Sequence, residues 1–130
     1  MNSNGANRFF VNPIRTTSVV GNALYWDSTT SEIIAATSSL RYKTNITDLQ
    51  RDSAVLHQFR PREYDGKFEP GHFVGFIAEE LYDIDPYCAV IRNDTQLPES
   101  INWNTIIVYL VNEVKKLRAE VDALKQSNNN

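Results

Sequence analysis

The sequence predicts an α+β protein in which a small mixed domain is followed by a long C-terminal helix. Three observations support this fold class. Short apolar runs separated by turn residues fill the N-terminal part, a strand–turn–strand pattern surrounds Asp65-Gly66, and a heptad pattern closes the chain. These patterns divide the chain into residues 1–37, the end of an upstream β structure, residues 38–103, a mixed domain, and residues 104–130, a helix with a polar tail.

The first 37 residues are rich in Asn, Ser and Thr and contain four apolar runs of strand length. Turn-prone residues such as Asn12-Pro13 and Gly21-Asn22 separate these runs, and no helical period is present. The segment therefore predicts short strands cut from an elongated β structure that begins further upstream. The four runs are Phe9–Val11, Ser18–Val20, Ala23–Trp26 and Ile33–Ala35.

The middle of the chain alternates between helical and extended patterns. A helix is expected from Ile46 to His57 after the capping pair Thr44-Asn45, and Pro61 ends it. The other expected elements are a hairpin from Arg62 to Val74, a short helix at Phe76–Tyr82, a strand at Ala89–Ile91 and a turn at Asn93-Asp94.

The C-terminal helix carries a heptad seam with β-branched residues at each a position and leucine at each d position. Glutamates at g and basic residues at the following e′ suit parallel copies of one helix, so homo-oligomerisation is the preferred prediction. An amphipathic helix packed on its own domain is the alternative, and the a and d residue types alone favour dimers. The seam residues are Ile107, Leu110, Val114, Leu117, Val121 and Leu124, with Glu113 and Glu120 at g and Arg118 and Lys125 at e.

Composition excludes several classes of protein. A chain of 130 residues with 42% hydrophobic residues and a net charge of −3 argues against a basic nucleic-acid surface, and no apolar run reaches the length of a membrane span. The single cysteine, Cys88, is predicted to be a buried apolar residue. No nucleotide-binding or metal-binding motif occurs, and His57 and His72 lack ligand spacing, so neither cofactor nor metal is expected.

A serine and a lysine lie at the junction between the β segment and the mixed domain. Ser38 and Lys43 are five residues apart, and such a pair can act as nucleophile and general base when the lysine is held neutral. Burial or cationic neighbours, such as Arg41, are needed to lower a lysine pKa from its usual value of about 10.4. Taken alone, the spacing is common, and an ordinary polar linker is strongly preferred over a catalytic pair.

The residues around this pair resemble a known family in the order in which its motifs occur. Residues 38–49 read SSLRYKTNITDL, residues 56–64 contain the L…P..Y pattern, and residues 72–81 read HFVGFIAEEL. Pro86 and the heptad helix after residues 101–103 complete the pattern. Together they resemble the self-cleaving intramolecular chaperone domain of phage tailspikes, endosialidases and neck appendage proteins.

The resemblance implies a domain that trimerises, guides assembly of the upstream fibre of the same polypeptide, and then cuts itself off. The cleavage site is then the Thr37–Ser38 bond, with Ser38 as nucleophile and Lys43 as base. The expected partners are two further copies and the fibre, with no nucleic acid or membrane. The expected location is the host cytoplasm during virion assembly, with the released domain absent from the mature virion.

Some roles stay open at this point. Ser39 stands where the family usually has aspartate, which makes it a rival nucleophile, while Arg41 and His72 are possible accessory residues. Two other functions share the fold: a permanent trimeric tip that binds a receptor without cutting, and a structural coiled-coil cap. Cleavage that is lost when Ser38 is replaced would distinguish the self-cleaving chaperone from these two functions.

Overall fold

The computed structural model describes residues 14, 18, 21–27 and 29–130. The α+β fold class is confirmed. Two α-helices and six short strands occur in this part of the chain, together with three single-turn or two-turn 3₁₀ helices at Leu40–Tyr42, Ser53–Gln58 and Pro86–Cys88. The strands are β1 (Leu24–Asp27), β2 (Glu32–Ala35), β3 (Arg62–Asp65), β4 (His72–Gly75), β5 (Ala89–Ile91) and β6 (Pro98–Ile101); the helices are α1 (Ala78–Ile84) and α2 (Trp103–Asn128).

The third and fourth predicted apolar runs form strands β1 and β2, which pair as an antiparallel hairpin. Leu24 pairs with Ala35 at one end and Asp27 with Glu32 at the other. The Asp27 carboxylate accepts a hydrogen bond of 2.8 Å from the Thr29 amide, which closes the turn and lowers the pKa of that carboxyl. The predicted run Phe9–Val11 lies outside the described residues, as do Val19 and Val20.

The hairpin predicted between Arg62 and Val74 is confirmed as the pair β3–β4, with Arg62 opposite Gly75. Its loop spans residues 66–71, which is longer than the tight Asp-Gly turn expected. Gly66 is required there because a Cβ at this position would lie 2.2 Å from the Glu69 carbonyl oxygen. The short helix predicted next is also present as α1, two residues later than expected.

The helix predicted from Ile46 to His57 is wrong. Residues 43–52 contain no helix or strand, and helical structure begins at Ser53 as a 3₁₀ helix capped by the Asp52 side chain. Asn45 has a φ of 52°, a left-handed conformation that cannot start a right-handed helix. Ile46 is 62% exposed, so this stretch has no buried apolar face that would stabilise a helix.

A small core joins α1, the 3₁₀ helix at Pro86–Cys88 and the first half of α2. Its buried members are Leu81, Cys88, Ile106 and Tyr109, with Phe59 and Phe76 packed against them. Cys88 is fully buried, as predicted, and burial raises the pKa of its thiol to about 11. Strand β6, which was not predicted, pairs with β5 and leads directly into α2, whose first turn is capped by Asn102.

Helix α2 has two different apolar faces. One face packs on the domain of its own chain through Ile106 and Tyr109, which are not members of the predicted seam. The six seam residues lie on an adjacent face and are all exposed, from 44% for Val121 to 62% for Val114 and Leu124. Glu113 is buried within its own chain, so the expected g-to-e′ pairing of Glu113 with a neighbour's Arg118 does not fit the fold.

Candidate active site at the Ser38–Lys43 turn

The side chains of Ser38 and Lys43 meet. Lys43 Nζ lies 2.6 Å from Ser38 Oγ and donates to it. The turn at Leu40–Tyr42 makes this possible, because the Lys43 amide donates to the Leu40 carbonyl at 3.1 Å and folds the chain back on itself. The five-residue separation in sequence thus becomes one hydrogen bond in which the amine is the donor. A serine–lysine nucleophile needs the same two groups within this reach, with a neutral amine that accepts from the hydroxyl.

Ser39 and Arg41 bond to each other. The Ser39 hydroxyl accepts hydrogen bonds from the Arg41 amide at 3.4 Å and from Arg41 Nε at 3.2 Å, and it forms the N-cap of the turn. The Arg41 guanidinium also lies 5.6 Å from the centre of the Tyr42 ring. The lysine therefore contacts Ser38, and the rival nucleophile Ser39 is occupied by a different partner.

The residues of the Thr37–Ser38 bond are accessible in the single chain. Thr37, Ser38 and Lys43 are all exposed, and so is every residue from 40 to 52. The Thr37 hydroxyl accepts a hydrogen bond of 3.5 Å from the Ser39 amide. The side chains of both Thr37 and Ser38 therefore have hydrogen-bond partners within the same short segment. Exposure leaves room for another subunit to cover this segment.

His72 lies on β4 and contacts a different set of residues. Its Nδ1 is 2.8 Å from Asp65 Oδ1 and its Nε2 is 3.4 Å from Glu63 Oε2, both on the neighbouring strand. These hydrogen bonds, that of Asp65 first, raise the pKa of the imidazole. In the described part of the chain the structure places His72 in the hairpin cluster and does not bring it into contact with Ser38 or Lys43.

A buried polar cluster that the sequence did not reveal fixes α2 to the rest of the chain. Ser53, which is fully buried, donates to Glu113 at 2.5 Å and accepts from Asn112 at 2.7 Å and from Lys116 at 3.1 Å. His57 Nε2 lies 3.3 Å from the second Glu113 oxygen. The hydrogen bonds from Lys116 and Ser53 lower the pKa of Glu113 to about 2.

A second polar contact holds the same face of the helix one turn nearer its N-terminus. The Tyr109 hydroxyl donates to Asp85 at 2.6 Å. Burial is the main cause, and this hydrogen bond the second, that raises the pKa of Tyr109 to about 12. The Arg51 guanidinium stacks on the Tyr87 ring, 3.4 Å from its centre. Arg51 also lies 3.7 Å from Asp85, so the strap of residues 43–52 is attached to the core near its end.

A cleft of about 1230 Å³ lies between the β1–β2 turn and the β5–β6 sheet. Trp26 and Trp103 both line it. Along the sequence, Trp26 precedes the Thr37–Ser38 bond and Trp103 follows it. The Asn93 side chain donates to the Thr29 hydroxyl across this cleft, which gives a contact between the β1–β2 turn and the loop after β5. Cutting the Thr37–Ser38 bond would leave only such non-covalent contacts between the two parts.

The described residues thus form an α+β fold in which a serine–lysine pair follows the β1–β2 hairpin. Residues 38–89 match a peptidase family model described as chaperone of endosialidase, a match that begins at Ser38 itself. This match confirms the resemblance seen in the motifs over residues 38–89. No curated protein and no solved structure matches the chain.

In the part of the chain that the structure describes, His, Cys, Asp and Glu do not gather in groups of three or more that could hold a metal ion. None of the helices described is long and apolar enough to cross a membrane. The family match suggests an intramolecular chaperone with a role in tail fibre assembly.

Proposed function

We propose that residues 38–130 are a self-releasing chaperone that trimerises and registers the upstream fibre of its own polypeptide. The domain then cuts the Thr37–Ser38 bond, with Ser38 as nucleophile and Lys43 as base. The observation that carries this proposal is the 2.6 Å contact between Lys43 Nζ and Ser38 Oγ at the first residue of the family match. Residues 1–37 would remain with the fibre, and residues 104–130 would leave with the chaperone.

The chemistry follows from the position of the nucleophile. Ser38 Oγ would attack the carbonyl carbon of Thr37 while its proton passes to a neutral Lys43 amine. The carbon–nitrogen bond then breaks, and the Ser38 nitrogen takes the proton back from Lys43. Water hydrolyses the resulting ester to a Thr37 carboxylate and a free Ser38 hydroxyl. Because nucleophile and carbonyl belong to adjacent residues, little entropy is lost in bringing them together.

Association of copies through α2 is supported by the exposed seam, while the choice of a trimer rests on the family resemblance. Six apolar residues at a and d positions are left uncovered while another face of α2 packs on its own domain. A continuous exposed apolar stripe of this kind marks an interaction surface. A helix that gathers three chains would place three slowly folding β segments in register before their non-local contacts form. Cleavage afterwards would leave the fibre kinetically trapped, because the chaperone that assisted its folding is gone and unfolding by the reverse of that process is blocked.

Mass spectrometry of freshly expressed protein tests the proposed cleavage. We expect two fragments, residues 1–37 and 38–130, that increase together during incubation at neutral pH. Unfolding the domain with denaturant should stop cleavage of the Thr37–Ser38 bond. Wild-type chain that remains intact after prolonged incubation would refute the autoproteolysis and favour a permanent receptor-binding tip or a structural cap.

The seam can be tested with one substitution. Leu117→Asp places a carboxylate at a d position that is 51% exposed in the single chain and that would be buried among three helices. We expect the variant to elute as a monomer in multi-angle light scattering, whereas the wild type elutes at three chain masses. Ala119→Asp, on the outer f position of the same helix, is the matched control and should stay trimeric. A trimeric Leu117→Asp variant would contradict the proposal that the seam residues form the interface between chains.

A further inference from the structure

We infer that Ser39 is a positioning residue that holds Lys43 against Ser38 by capping the turn between them. The inference rests on the proposed function of the Ser38–Lys43 pair. It assigns to Ser39 a task distinct from nucleophilic attack. Ser39 acts through the backbone of Arg41 and the turn at Leu40–Tyr42, and it has no contact with the reacting atoms in this assignment.

The hydrogen bonds of the turn support this assignment. Ser39 Oγ accepts from the Arg41 amide, which has no carbonyl partner at the start of so short a helix. Ser39 also provides the carbonyl that accepts from the Tyr42 amide at 3.1 Å. The next bond in the same turn, from the Lys43 amide to the Leu40 carbonyl, places the lysine beside Ser38. Loss of the cap removes the first of these bonds and loosens the others.

The location of the turn makes a side-chain cap important. Leu40 and Tyr42 are 73% and 69% exposed, so packing contributes little to the turn in the single chain. A three-residue helix is also below the length at which helical structure persists by itself in water. The cap and the Arg41 Nε contact to the same hydroxyl are therefore the main local interactions that hold the turn closed.

The geometry also separates Ser39 from the base. In the structure the amine of Lys43 donates to Ser38, whereas the hydroxyl of Ser39 receives the Arg41 amide and Nε. A serine that accepts two hydrogen bonds from an amide and a guanidinium has no base directed at its proton. Aspartate and threonine, which also cap helices through a side-chain oxygen, should fill this role equally well.

The test compares cleavage rates of Ser39→Ala, Ser39→Asp and Ser39→Thr with the wild type. Loss of a helix cap typically shifts such an equilibrium by about fivefold, so we expect Ser39→Ala to cut about five times more slowly at an unchanged Thr37–Ser38 bond. The Asp and Thr variants should return to within about twofold of the wild-type rate. The urea midpoint of unfolding should not move in any of them, because the turn is remote from the core.

A second measurement is independent of cleavage. In a Ser38→Ala background, amide hydrogen exchange at Lys43 should be faster with Ser39→Ala than with Ser39 or with Ser39→Asp. Unchanged exchange, or an unchanged cleavage rate in Ser39→Ala, would overturn the inference and leave the proposed function intact. Equal loss of cleavage in the Ala, Asp and Thr variants would also overturn it. Continued cleavage of the Ser38→Ala chain would instead refute the proposed nucleophile.

Discussion

Replacing Ser38 by alanine should leave the chain uncut. No other hydroxyl contacts the Lys43 amine in the described part of the chain, and Ser39 is occupied by Arg41. The rate of cleavage should therefore fall by at least about a thousandfold, as expected when a nucleophile has no substitute. Intact mass spectrometry over several days of incubation measures this directly. The variant should still elute as a trimer, since Ser38 is an exposed residue far from the core.

Lys43→Met is the companion variant because methionine keeps much of the aliphatic stem and removes the amine. It should block cleavage as completely as Ser38→Ala, and the double variant should be no slower than either single variant, since residues that act as a unit are not additive. Lys67→Met, at an exposed lysine in the β3–β4 loop, is the matched control and should cut at the wild-type rate. Normal cleavage in Lys43→Met would contradict the assignment of the base.

The sequence predicts well those elements that are determined locally. The β3–β4 hairpin, helix α1, strand β5 and helix α2 all follow from apolar periodicity bounded by turn residues or by Pro86. The contact of Lys43 with Ser38 is also local, because one turn of backbone brings residues five apart together. The importance of that spacing, however, came from the family resemblance, since a serine and a lysine five residues apart occur by chance in many chains.

The errors occur where a local signal competes with another interaction. The pair Thr44-Asn45 resembles a helix cap, but Asn45 adopts a left-handed conformation and Asp52 caps the 3₁₀ helix that forms instead. Glu113 fits a g position, but its carboxylate is buried against Ser53 in its own chain. Sixty residues separate this pair along the chain, and no periodicity or motif in a single sequence indicates such a contact.

Ser53→Ala should lower the free energy of unfolding by about 2 kcal/mol, the typical cost of leaving buried polar partners unsatisfied. The Ser53 hydroxyl is fully buried, donates to Glu113 and accepts from Asn112 and Lys116. Urea unfolding at one fixed protein concentration measures the loss, since association also contributes to stability. Ser100→Ala is the matched control: Ser100 is exposed on β6, and its replacement should change stability by less than about 0.5 kcal/mol.

The acid dependence of stability distinguishes the hydrogen bond from simple packing. Glu113 has a pKa lowered to about 2 by hydrogen bonds from Lys116 and then Ser53, against an ordinary value of 4.5. Its ionised form therefore contributes stability that is fully present above the ordinary value and is lost as the pH falls towards 2. Ser53→Ala removes one of the donors, so the variant should lose less stability than the wild type over this range. An equal loss in both would show that Ser53 contributes by packing alone and that Lys116 determines the charge state of Glu113.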